Sequence, residues 1–182
     1  MPKRRAGRRP GVETWLLLAV ILLIGLVIFT RWFAHPRAVG VDVYFVRYDP
    51  VHHTGALAAV RRPAPPGPLE ARLTAAMRGL LAGPSPEERR AGIASEIPAG
   101  TGLRGVRVAP GTVTVDLTST FGRGGGSTSM LARVWQVVYT ATQSPDAPAV
   151  QITLDGRRVE ALGGEGVMIG APLERRAVPP SF

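Results

Sequence analysis

Thr112 to Gly156 reads TVTVDLTSTFGRGGGSTSMLARVWQVVYTATQSPDAPAVQITLDG, and its changes of period decide the fold. Val113, Val115 and Leu117 alternate with Thr114 and Asp116, the pattern of a strand buried on one face. Gly122-Arg-Gly-Gly-Gly126 cannot continue a strand. From Thr128 the period becomes helical: Met130, Val134, Val137, Val138 and Ala141 share a stripe, flanked by Leu131 and Trp135. Ser144-Pro145 stops the helix, because proline disfavours the α conformation in the residue before it. Val150, Ile152 and Leu154 alternate again up to the turn signal Asp155-Gly156. The unit is an amphipathic helix lying on a pair of strands.

Upstream of this unit, Val41, Val43 and Phe45 alternate with Asp42 and Tyr44 as a first strand, and Leu57 to Arg61 suggests a short second one. Pro63, Pro65, Pro66 and Pro68 mark a stiff loop. Leu69, Leu73, Ala76, Met77, Leu80 and Leu81 then form one helical stripe, closed by Gly83-Pro84. Ser85-Pro-Glu-Glu88 is a capping box that predicts a short helix to Ala91. Val106 and Val108 begin a strand that Pro110-Gly111 folds back as a hairpin onto 112–117. Downstream, Arg157 to Leu162 reads as the return strand of a second hairpin, Leu173 to Arg176 as an edge strand, and residues 177–182 as a frayed tail. The order predicts one α+β domain: a small, mostly antiparallel sheet with two main helices on one face.

The N-terminal region has a different composition. Of the net charge of +9, residues 1–38 carry +6: seven basic residues against Glu13. The other 144 residues carry only +3, too little for the concentrated basic face that nucleic acid requires. Residues 1–13 form a basic arm, 14–33 an apolar run and 34–39 a linker. At about 1.5 Å per residue, Thr14 to Phe33 spans roughly 30 Å, the thickness of a bilayer core. Trp15 and Trp32 sit at its ends as interfacial aromatics, and the basic arm favours a cytoplasmic N-terminus. The expectation is a single-pass signal-anchor helix that leaves the C-terminal domain outside the cell membrane. A cleaved signal peptide shares the basic-then-apolar signature, but Trp32-Phe33-Ala34 is a poor small-x-small cleavage site.

No catalytic, cofactor-binding or metal-binding residue is assigned. There is no cysteine, which removes disulfides, thiolate sites and a lipid-carrying cysteine, and the only lysine is Lys3. The loop 122–126 fails the dinucleotide spacing, since the third glycine would fall at Ser127 or Ser129. Those serines lack a Gly-x-Ser-x-Gly elbow, and no histidine follows them. His52 and His53 are adjacent, so they cannot share a face of a strand or helix, and His35 has no partner in sequence. Asp116 and Asp155 lie at strand ends and form the only carboxylate pair weighed for a hydrolase, although turn hydrogen bonds are the commoner role there. Trp135 and Tyr139, four apart, read either as core or as an aromatic platform for a glycan, with Tyr44 and Tyr48 as further candidates.

Several words in order resemble the GerMN domain, the module named after the sporulation and germination protein GerM. They are Leu80-Leu-Ala-Gly-Pro84, Ile97-Pro-Ala-Gly-Thr101, Val113-Thr-Val-Asp-Leu117 with Phe121, Gln136-Val-Val-Tyr-Thr140, Asp155-Gly156 and Pro172-Leu-Glu-Arg175. Asp116-Leu-Thr-Ser119 stands where the family usually shows Asp-Leu-Ser. The resemblance covers residues 40–176. It implies a non-enzymatic, extracytoplasmic α+β module similar to ring-building motifs, without a cofactor. It also implies action in protein–protein assembly in the cell envelope, in sporulation or germination. The partners it implies are the membrane and envelope proteins or further copies of itself. The alternative is a cell-wall module that binds peptidoglycan or another glycan. This chain departs from the family pattern in having one copy, a membrane helix in place of a lipid anchor, and no enzyme domain.

Overall fold

The computed structural model describes residues 16, 21–26, 29, 39–49, 51, 52, 54–163 and 166–182. By its contacts the chain divides between Arg37 and Ala38. The first unit is described only at residues 16, 21–26 and 29, which are helical. Among the described residues no helix is long and apolar enough to cross a membrane. The basic arm 1–13 and most of the expected span 14–33 and linker 34–39 lie outside the described residues.

In the second unit β1 (Val39–Asp49) pairs antiparallel with β2 (Thr54–Ala64) over their full length, from Val39 opposite Ala64 to Asp49 opposite Thr54. Val41, Val43 and Phe45 are buried, as their alternation predicts. β2 is eleven residues long, well beyond the expected 57–61. Its Gly-Ala-rich sequence has little strand pattern, so the long, well-patterned β1 sets its extent. Two helices follow: α1 (Leu69–Ala82), with Leu73, Ala76, Met77 and Leu80 buried, and α2 (Pro86–Arg90). The predicted capping box is in place, with both of its reciprocal hydrogen bonds. A two-residue strand, β3 (Ile93–Ala94), then pairs with Val46 and Arg47 of β1.

β4 (Leu103–Ala109) and β5 (Thr112–Leu117) form the expected hairpin, with Gly111 at φ 78° in the turn. After the 3-10 turn Ser119–Gly122 comes α3 (Ser127–Ala141), and then β6 (Ala149–Leu154). β6 lies parallel to β5, with Val113 opposite Val150 and Val115 opposite Ile152. A parallel pair needs a crossover, and α3 supplies it. The α+β reading holds with antiparallel pairing elsewhere, but the helix at its centre joins parallel strands.

The single sheet expected from sequence is two: β2-β1-β3, and β4-β5-β6-β9, where β9 is Leu173–Glu174. The cause is a helix beside β1. The N–H groups of Asp42 and Tyr44 donate to Gln143 Oε1 and Thr140 Oγ1, both at 3.0 Å. Gln136 Nε2 donates to the Tyr44 carbonyl at 3.2 Å, and Gln143 Nε2 to that of Asp42 at 3.1 Å. Side chains of α3 and of Gln143 just beyond it thus occupy the edge where another strand would pair. α1 packs against β1, β2 and β4, and α3 against α1, β1 and β6, so both helices reach strands of both sheets.

Two expectations near the C-terminus are corrected. Residues 157–162 do not form a return strand on β6. Only Arg157 bridges back to Leu154, while β7 (Ala161–Leu162) pairs with β8 (Val167–Met168) as a separate hairpin. Nor do residues 177–182 fray. Phe182 exchanges two backbone hydrogen bonds of 2.8 Å with Gly55, which places the last residues on the edge of β2.

Candidate interaction surface

The glycine loop before α3 is folded around a cation. Arg133, 2% exposed, lies nearly two turns into the helix and points its guanidinium back under the loop. Nη1 donates to the carbonyls of Phe121 (2.9 Å) and Arg123 (3.0 Å). Nη2 donates to the Gly124 carbonyl and the Ser129 hydroxyl, both at 3.0 Å. A phosphate cradle would need N–H groups turned inward, whereas this loop turns in three carbonyls. Burial holds the Arg133 pKa below the ordinary arginine value. Gly125 at φ 80° is required here, since a Cβ would lie 2.5 Å from Arg133 Nη2.

Asp116 and Asp155 do come together, joined by an arginine. Arg104 Nε donates to Asp116 Oδ2 at 3.2 Å, and its Nη1 lies 3.8 Å from Asp155 Oδ1. Asp116 Oδ1 also accepts from Thr153 Oγ1 (2.9 Å) and the Gly156 N–H (2.8 Å), and Asp155 Oδ2 from the Ser119 N–H (3.2 Å). The Ser119 hydrogen bonds chiefly hold the Asp155 carboxyl below its ordinary pKa, with Arg104 adding to them. Both carboxylates therefore fasten the strand-end turns. His52 Nδ1 is 2.7 Å from Asp49 Oδ2 on the surface, and His35 and His53 lie outside the described residues. Among the described residues no group of three or more His, Cys, Asp or Glu side chains could hold a metal ion.

Trp135, Tyr139 and the partly buried Tyr44 form a row beneath the C-terminal segment. Trp135 and Tyr139 are 5% and 3% exposed, so the helix turns them into the core and not outward as a platform. Tyr139 meets the Tyr44 ring at 5.4 Å and the Trp135 ring at 6.1 Å, both edge-on. Arg175 stacks over Tyr44 (5.1 Å) and Tyr139 (4.7 Å) and donates to the Tyr139 carbonyl at 2.6 Å. Arg176 stacks over Trp135 at 4.6 Å, and its carbonyl accepts from the Tyr139 hydroxyl at 2.8 Å. Tyr48 is the exposed member of the set. It donates to Glu96, and burial followed by that carboxylate pushes its phenol up to about 12. Sequence reasoning missed Arg133, Arg175 and Arg176 as organising residues.

Along this row runs a groove of about 720 Å³ between α3, β8 and the C-terminal segment. Leu131, Val134 and Trp135 supply the helix side, and Met168, Leu173 and Phe182 the other. Leu131 and Met168 stay 36% and 61% exposed, an apolar surface that the domain does not cover itself. The helical stripe at 131, 134 and 135 is legible in the sequence, whereas the opposite wall depends on how residues 167–182 return.

A family model described as Germane, sporulation and spore germination, matches residues 42–160. No curated protein sequence is significantly similar to the chain. Among solved structures, the tandem GerMN domains of the sporulation protein GerM from Bacillus subtilis superpose with a TM-score of 0.62 at 20% identity. That match covers 77% of this chain and 46% of the tandem structure, so the chain spans about half its length. The first GerMN domain of the same protein gives a TM-score of 0.59 at 20% identity, over 75% of this chain and 98% of the domain. A protein from Clostridium perfringens described as a lipoprotein gives 0.54 at 19%, over 76% and 89%. These likenesses establish a shared fold.

Proposed function

The chain belongs to the Germane family, and from that premise we propose that it is a membrane-anchored, extracytoplasmic protein whose GerMN-like domain acts without catalysis in protein–protein assembly at the cell envelope. Sporulation or spore germination is the process that the family description suggests. The observation that carries the reading is the groove with Leu131 and Met168 exposed along it. The edges of the first sheet support the same reading. α3 and Gln143 cap β1, the chain's own residues 181 and 182 occupy the start of β2, and Pro63 near its end has no N–H to give. Assembly by added strands is thus discouraged there, and assembly through side chains is favoured.

The anchor rests on the apolar run 14–33 behind five basic residues. The lipoprotein description of one structural relative fits a surface-tethered module. In-cell crosslinking of the full-length protein tests the reading. Recovery of defined envelope proteins or homo-oligomers supports it, and recovery of uncrosslinked monomer alone overturns it.

A second reading, a peptidoglycan-binding module, is favoured by Tyr48. This ring is 44% exposed beside a depression of about 720 Å³ that Arg47, Asp49 and Thr54 help to line. Retention on purified peptidoglycan that is lost in Tyr48→Ala would select it.

A further inference from the structure

The groove beside α3 carries a charge as well as an apolar wall. Arg176 is exposed, and its guanidinium is held over the Trp135 ring at 4.6 Å. Among the described residues it has no carboxylate partner. Its neighbour Arg175, also stacked on the aromatic row, is by contrast bound to the carbonyl of Tyr139. None of the described lining residues is acidic. The groove thus joins an uncovered apolar surface to a cation whose position is fixed by stacking and whose forked donors remain open to a carboxylate.

We infer that the groove receives a peptide segment of a partner protein in which an Asp or Glu is flanked by apolar side chains. The carboxylate meets Arg176, and the apolar side chains lie against Leu131 and Met168. Stacking on Trp135 already restricts the guanidinium, so little further side-chain entropy is lost on binding. The ring beneath it excludes water from one side and strengthens the ion pair. A glycan fits less well. The Trp135 ring it would stack on is 5% exposed and covered by Arg176, and among the described lining residues only Ser127, Thr128 and Ser181 carry a hydroxyl.

This inference rests on the assembly reading, and its test is separate from the crosslinking above. A displayed library of random dodecapeptides is selected on the full-length protein in lipid nanodiscs. Affinities of the enriched peptides are then measured against Arg176→Gln, Arg176→Lys and Met168→Glu, each first checked for an unchanged melting temperature. Arg176 uses its side chain only for stacking, so these variants keep the Tyr139 hydrogen bond to its carbonyl.

The expected result is enrichment of Asp or Glu between apolar residues. Binding should weaken about tenfold in Arg176→Gln, less in Arg176→Lys, and be lost in Met168→Glu. Four results each overturn the inference: no enrichment, enriched peptides without an acid, equal affinity for Arg176→Gln, or sequences matching this chain, which would make a second copy the occupant. Envelope proteins crosslinked in cells together with any of these four would leave assembly standing and move its surface elsewhere. Monomer alone in cells would remove assembly whatever the library returned.

Discussion

Arg133 sits where helical spacing would put an apolar residue, three after Met130 and four before Val137, yet it is buried, and among the described residues no carboxylate forms an ion pair with it. Its worth lies in the three loop carbonyls to which it donates. Arg133→Met keeps most of the volume and removes every one of those hydrogen bonds. It should cost about 2–4 kcal/mol, read as a lower urea midpoint at unchanged slope. The glycine loop was legible as a helix entry because its spacing fails every phosphate motif. The arginine under it was not, since a charged residue inside a helix ordinarily reads as solvated and only the carbonyls of a returning loop can satisfy it there.

At the scale of elements, polar residues on α3 do what a strand would otherwise do. Gln136 and Thr140 are fully buried, and with Gln143 they recur at helical spacing along one line facing β1. Thr140→Val is nearly isosteric and leaves the Tyr44 N–H without its acceptor. A loss of about 1–3 kcal/mol is expected on urea unfolding, with the fold retained by circular dichroism. The α2 capping box also ties to β2, since Arg62 donates to both oxygens of Glu88 at 2.6 Å. The Arg62 hydrogen bonds hold Glu88 below its ordinary 4.5. A lowered folded pKa means the pair stabilises fully above the unfolded value and is lost as pH falls through the folded one. Melting temperature should therefore fall below pH 4.5, and Glu88→Gln should flatten that fall when both are scanned from about pH 6 to about pH 3. The elements themselves were largely readable from periodicity. The parallel pairing of β5 with β6 was not, because alternation reports which face is buried and not the direction of the neighbour.

At the scale of the molecule, the segment from Leu173 to Phe182 fastens distant parts together. It pairs with β6, stacks its two arginines on the aromatic row of β1 and α3, and ends on the edge of β2. Arg175→Ala removes two ring contacts and the 2.6 Å hydrogen bond to the Tyr139 carbonyl. A loss of about 2 kcal/mol is expected, together with a changed near-ultraviolet circular dichroism spectrum of the Tyr44–Tyr139–Trp135 cluster. Two prolines and small residues make this stretch look like a tail. The partners it finds in β1 and β2 lie more than a hundred residues earlier, beyond the reach of any local pattern. The wall it builds also has a place in time. Leu173, Arg176 and Phe182 leave the ribosome after the helix residues Leu131 and Trp135 that they face, so a chain still being made offers only half a groove. A partner that engages this surface would thereby distinguish copies in which residues 173–182 have docked from nascent ones, without any separate signal.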